Sequence, residues 1–239
     1  MSFDSIPGVL IGVVAVTLAT FAMLKTEKEL GWSSLYLDRV SLDPRKISLG
    51  FFVGALGIGI PSALLLVSRE LGVRTTPPGS WVNAASFDVV FFLLAAAMEE
   101  LVVRGYLFSL IRRRWGWKVA VVGTSLLFGA LHLLNPGADL LSMVNVTLAG
   151  IFLAIVLLKT KSLYAAIAAH FAWNWTMAAI FHTVVSGASI PAPNYATVDN
   201  GPDWLTGGRW GPEGGVGATV AMLVLIFFLY KQRRGRVES

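Results

Sequence analysis

The sequence predicts an all-α bundle of about seven membrane-spanning helices. Three observations carry this. Apolar residues make up 55% of the 239-residue chain, only 14% is charged, and the mean hydropathy is +0.69, whereas soluble domains carry about 25% charged residues. Long apolar runs recur between short charged or Pro/Gly-rich stretches, and most have the roughly 20 residues that a helix needs to cross a bilayer. Basic residues favour every second connection, as the topology of a multi-pass protein requires.

The first run covers residues 7–24. Asp4 precedes it and Lys25 and Lys28 follow, a polarity that suits a retained span with its N-terminus outside better than a cleaved signal peptide. Leu30 to Val40 mixes Leu, Trp and Tyr with charges and reads as loop or as a stretch lying along the membrane surface. The second span, 48–67, holds Gly50-x-x-x-Gly54, then Gly57 and Gly59; small residues at this spacing permit close helix packing within the bundle. The third, 86–111, is apolar from Val89 to Met98 and then carries Glu99, Glu100 and Arg104. The remaining spans are 117–134, 138–158, 162–186 and 214–230. Residues 187–213, punctuated by Pro191, Pro193, Pro202 and Pro212, read as a loop with room for an eighth, re-entrant segment. Residues 1–239 are read as one membrane domain with a catalytic core at about 85–186.

Charge sets the expected orientation. Lys25, Lys28, Arg39, Arg45, Lys46, Arg112, Arg113, Arg114, Lys118, Lys159, Lys161, Lys231, Arg233, Arg234 and Arg236 fall on one side, against Arg69, Arg74 and Arg209 on the other. Basic loops stay cytoplasmic. The expectation is an integral, multi-pass protein, in the plasma membrane if prokaryotic, with its N-terminus out and its C-terminus in the cytoplasm. No basic patch with interleaved aromatics points to nucleic acid, and the absence of cysteine excludes disulfides and thiolate metal sites.

Two carboxyl groups and a guanidinium at membrane depth cost a few kcal/mol each even on lenient insertion scales, and such groups are functional by default. In a helix, i and i+4 share a face while neighbours point about 100° apart. Glu100 therefore pairs with Arg104, and Glu99 is left free for proton transfer. All three histidines lie in spans, and two have a polar or aromatic companion four residues away: His132 follows Phe128, and His170 precedes Asn174. At about 1.5 Å per residue, Glu99, His132 and His170 lie about 18, 22 and 12 Å from the basic ends of their spans, a spread that helix tilt can close. Glu99 with His132 can activate a water for attack on a carbonyl, and His170 with Asn174 can hold the oxyanion. Equally, Glu99, His132 and His170 can supply three ligands to zinc with a water in the fourth place, although His-Glu-x-x-His is absent. Metal-free and metal-dependent chemistry both remain open at this point. Asn145 reads as a bundle hydrogen bond or a group behind the site, Asp88 as interfacial, and His182 as off the site.

Glu99-Glu100-x-x-x-Arg104, Phe128-x-x-x-His132 and His170-x-x-x-Asn174, in this order on successive spans, resemble the CPBP family, which comprises the type II CAAX prenyl proteases and the Abi-type, bacteriocin-processing membrane proteins. The resemblance covers about 85–186. It implies a helical bundle with an intramembrane site open towards the cytoplasm, and hydrolysis of a peptide bond near a protein's end. Glu99 and His132 would activate water, His170 and Asn174 would hold the oxyanion, and Glu100, Arg104 and Phe128 would support them. No cofactor, or else zinc, is expected, and the partner is a membrane-associated protein or peptide. The expectation is thus an intramembrane endopeptidase. The alternatives are a non-catalytic scaffold or bacteriocin-immunity protein, and a proton carrier using Glu99, Glu100 and Arg104.

Overall fold

The structure is a computed structural model and describes residues 5–27 and 29–234. Asp4, Lys28 and Arg236, which entered the orientation argument, lie outside the described residues. Helix α1 (Ile6–Thr26) opens on a Ser5 cap whose side chain accepts from the Gly8 amide, with Pro7 in its first turn. It packs on α3 (Trp81–Glu100) and exposes Leu10, Ile11, Val14, Leu18 and Phe21, as a helix facing lipid does. The loop that follows is a series of turns folded against the helix ends. Leu35 is fully buried, the Tyr36 carbonyl accepts from the Leu163 amide (3.0 Å), Ser162 Oγ donates to the Ser41 carbonyl (2.6 Å), and Arg112 donates to the Ser34 carbonyl (3.0 Å). The basic ends of the helices are laced together there.

Helix α2 (Pro44–Val67) lies against α6 (Leu163–Trp175). The glycine spacing explains how closely. A Cβ at Gly50 or Gly54 would sit 2.1 Å from the carbonyl oxygen of Ala165 or Ala169, so only glycine lets the two backbones meet there. The stripe is therefore an internal seam that fixes the helix bearing His170. Helix α3 (Trp81–Glu100) runs on through a π-helical turn, Leu101–Tyr106, into α4 (Leu107–Leu131). Two breaks interrupt it: Gly105 has non-helical backbone (φ −77, ψ −114), and Gly116 turns the chain at φ 85, ψ 168. The expected connection at 112–117 thus shrinks to one residue, and positive φ is why that residue is glycine.

Helix α5 (Leu140–Thr160) starts on an Asp139–Ser142 capping box and ends where Lys161 turns left-handed before Ser162 caps α6. A second π turn, Thr176–Phe181, extends α6. Helix α8 (Val216–Arg234) closes the bundle against α5 and α2. The core sits where α5 and α6 meet, with Phe152, Leu153, Val156, Ala169 and Met177 all buried. Among the described residues α1, α2 and α5 are long and apolar enough to cross a membrane, and Val216–Lys231 is a shorter apolar helix. Arg112, Arg113, Arg114 and Lys118 interrupt the apolar run of α4.

Two expectations are corrected. The fold is helical but not purely so, because β1 (Leu71–Thr75) pairs antiparallel with β2 (Tyr195–Asp199), Leu71 opposite Asp199 and Thr75 opposite Tyr195. Residues 187–213 form no re-entrant helix; they contain β2, the single-turn helix α7 (Asp203–Thr206) and a short 3-10 turn. That segment nonetheless folds inward, and Trp210 is 1% exposed. Asp88 is buried within the bundle.

Candidate active site

The π turn after Glu100 widens the helix where the charged groups sit, a distortion often found at functional sites. Glu100 and Arg104 are both fully buried and pair at 2.9 Å across i,i+4, as their spacing requires. Arg104 also donates to the Gly150 carbonyl on α5 (3.1 Å) and lies 4.2 Å over the Phe128 ring. Glu100 Oε1 reaches one partner that spacing could not reveal, His170 Nδ1 at 3.1 Å. An oxygen already accepting from a guanidinium takes the imidazole N–H, so His170 turns its Nε2 away from Glu100.

His132 is set by the end of α4. Its amide bonds back to Gly129, and its Nδ1 lies 2.8 Å from the Phe128 carbonyl, where a C-terminal histidine side chain can donate to one of the last carbonyls. A carbonyl only accepts, so Nδ1 carries the proton and Nε2 faces the interior. Both Nε2 atoms converge on Glu99 Oε2, His132 at 3.9 Å and His170 at 3.8 Å. That oxygen is buried and accepts no hydrogen bond, although the Glu99 side chain as a whole is 32% exposed. Phe128 packs between the two imidazoles, at 4.7 Å from His132 and 5.8 Å from His170. Glu99, Glu100, Arg104, Phe128, His132 and His170 therefore meet in one place, and Asn174 lines the same chamber as both histidines.

The chamber extends from the imidazoles toward the end of the bundle away from the basic loops. It is a narrow cavity of about 30 Å³ counted at water centres, room for one or two waters. Its walls are Val146, Ala149, Phe152 and Met222 with the polar groups Asn145, Ser186 and Glu213. Trp210 stands 6.5 Å from His132. Asn145 is the bundle hydrogen bond expected of it, donating to the Glu213 and Gly215 carbonyls (2.8 and 2.9 Å), and it also lines the cavity. His182 lies off the chamber, stacked on Tyr195 at 4.0 Å. Ser186, Trp210 and Glu213 escaped the sequence reading because they sit in a Pro/Gly-rich stretch without periodicity. The one signal there was a carboxylate and an indole placed just before an apolar helix.

Among the described residues no group of three or more His, Asp or Glu stands ready to hold a metal ion. Glu99, His132 and His170 come nearest, but their 3.8 and 3.9 Å separations exceed the roughly 3.3 Å edge of a tetrahedral site with bonds of about 2.0–2.1 Å.

Residues 81–176 match the family model described as type II CAAX prenyl endopeptidase Rce1-like, which agrees with the CPBP resemblance drawn from the three motifs. The match begins at the first residue of α3 and contains every motif residue from Glu99 to Asn174. By its description the family is one of peptide-bond hydrolases, and the apolar helices fit an integral membrane protein. Ser186, Trp210 and Glu213 lie beyond the match. No curated protein and no solved structure matches the chain.

Proposed function

We propose that this chain is an intramembrane endopeptidase that hydrolyses a peptide bond of a membrane-associated protein or peptide with a water activated by Glu99. The supporting observation is the unpartnered Glu99 Oε2 facing two imidazoles whose Nδ1 positions are already occupied. A water there donates one hydrogen to Glu99 and the other to His132 Nε2. Its oxygen bonds the scissile carbonyl carbon, Glu99 takes the proton, and the carbonyl π pair becomes the oxyanion. The Asn174 amide donates to that oxygen, and His170 Nε2 donates as well when the imidazole, its Nδ1–H held by Glu100, has taken a second proton from solvent before the attack. Glu99 then delivers its proton to the leaving nitrogen as the C–N bond breaks. Fixed donors of this kind are worth about 10²–10³ in rate each.

The step is drawn without a metal; were zinc bound, Glu99, His132 and His170 would hold it and it would supply Lewis acidity. The chamber's depth favours cleavage within the bilayer. An excess of basic residues at the Lys25, Arg112 and Lys161 ends of the helices favours those ends, and the C-terminus, in the cytoplasm.

Purified protein in proteoliposomes, given a quenched fluorescent prenylated CAAX peptide and its unprenylated twin, tests the reading. Wild type is expected to cut at least one of them after chelator treatment, and Glu99→Ala and His132→Ala to cut neither. Cleavage by either variant at the wild-type rate sinks the water-activating pair. Activity lost on chelation and restored by zinc sinks the metal-free step.

A further inference from the structure

Glu213 lies outside the matched segment, in the short turn before α8, and no motif includes it. It is nevertheless the most connected polar residue of the chamber. Its Oε1 accepts from the Ser186 amide (2.6 Å) and hydroxyl (2.7 Å), its Oε2 from the Trp173 indole N–H (2.9 Å), and its carbonyl from Asn145 (2.8 Å). Asn145 in turn accepts from Thr219 on α8 (2.6 Å). One residue therefore ties α5, α6, α8 and the loop at Ser186 together.

Each tie leads to one side of the proposed chemistry. Trp173 precedes Asn174, and α6 leaves regular α-helical form at Thr176; an anchored indole fixes the rotation of that helix end and thus the direction of the Asn174 amide. Ser186 holds a left-handed backbone (φ 49), a conformation that a non-glycine residue keeps only when its surroundings impose it. Its carbonyl accepts from Asn135 Nδ2 (2.9 Å), and the Asn135 amide donates to the His132 carbonyl (3.0 Å). One branch thus ends at the oxyanion donor and the other at the water-activating imidazole. Among the described residues Glu213 has no ion pair. A carboxylate held only by neutral donors is a costly way to join helices where apolar packing would serve, which argues for a task beyond stability.

We propose that Glu213 is a positioning residue that sets the spacing between His132 and Asn174 across the chamber. This rests on the endopeptidase reading above. The test compares wild type, Glu213→Gln, Trp173→Phe, Asn174→Ala and the Glu213→Gln/Asn174→Ala double variant on whichever of the two peptides is cut faster. Gln cannot accept at both ends, and Phe keeps the ring but removes the donor. Each is expected to lower kcat by about 10–100-fold, the size of effect a small misplacement causes, with KM changed less than about twofold. The double variant is expected to fall below Asn174→Ala by clearly less than Glu213→Gln alone falls below wild type, because the amide on one branch is already gone while the His132 branch is still disturbed. A merely structural Glu213 would give losses that multiply. Multiplying losses, or full kcat in both Glu213→Gln and Trp173→Phe, overturn the assignment. If Glu213→Gln does not fold, Trp173→Phe and its double variant with Asn174→Ala carry the same readouts. Wild-type cleavage by Glu99→Ala overturns the reading of the site itself, whereas an inactive Glu99→Ala with multiplying losses overturns the role of Glu213 alone.

Discussion

Glu99 and Glu100 are neighbours in sequence but belong to opposite halves of the site. The Glu100 half is closed. Its carboxylate, Arg104 and Phe128 are packed together, and Arg104 is pinned to the α5 backbone. The Glu99 half is open, with a partly exposed side chain and two imidazoles just beyond hydrogen-bonding distance of its Oε2; an unpartnered oxygen does not divide the halves, since Glu100 Oε2 has no partner either. One helical step of about 100° separates a group locked into the packing from a group that faces open space. The pair teaches that a second intramembrane carboxylate need not mean a second reacting group; here it orients a histidine and neutralises an arginine.

The largest effect should come from separating the two halves by substitution. Glu99→Gln is expected to reduce peptide cleavage by about 10²–10⁴-fold, the range for losing a general base, while thermal unfolding in detergent stays at the wild-type midpoint. Arg104→Ala should do the reverse. It strands the Glu100 carboxylate in a dry site, which costs about 3–5 kcal/mol, so the folded yield and Tm should collapse before any rate can be read. If Glu99→Gln unfolds the protein, or Arg104→Ala melts like wild type, the division between the halves is wrong.

That division was half legible in the sequence. Charges at membrane depth are conspicuous, and i,i+4 spacing identified the Glu100–Arg104 pair and the shared face of His170 and Asn174. The spacing could not show that Glu100 also reaches His170, because that contact joins residues on helices brought together only by packing. The long helices were visible for the same reason as the charges, since apolar runs leave a compositional trace. The π turns left none, because a shift in hydrogen-bond register changes no residue type. Nor did the β1–β2 pair, whose strands lie about 120 residues apart and are short and half polar. The inward fold of Trp210 and Glu213 was hidden by the prolines around them.

A smaller effect sharpens the comparison through the scaffold. Gly54 backs directly onto the Ala169 carbonyl, next to His170, whereas Gly123 on α4 has nothing within 4 Å of where a Cβ would stand. Gly54→Leu should therefore cost about 1–3 kcal/mol through overpacking and lower cleavage as well, because α6 carries both His170 and Asn174. Gly123→Ala should change neither. Equal behaviour of the two variants in a thermal melt and a cleavage assay would show that α2 does not set the position of α6.

The smallest effect is expected at a carboxylate outside the membrane, where partners resemble those of Glu213 but water competes. Asp38 lies in the loop at the basic end and accepts from the Ser41 hydroxyl (2.6 Å) and amide (2.8 Å). Those bonds, with Lys46 nearby, hold its carboxyl below the usual value of 3.8. A lowered folded value means that the charged form adds stability above the unfolded value, and that this is lost as the pH falls through the folded one. Asp38→Asn should melt slightly below wild type at pH 7, and the gap should close as the pH drops below about 3.8. A gap that stays constant with pH would mean that the turn is held by geometry alone. Exposed carboxylates in such turns would then say nothing about why a buried one, such as Glu100, needs a cation.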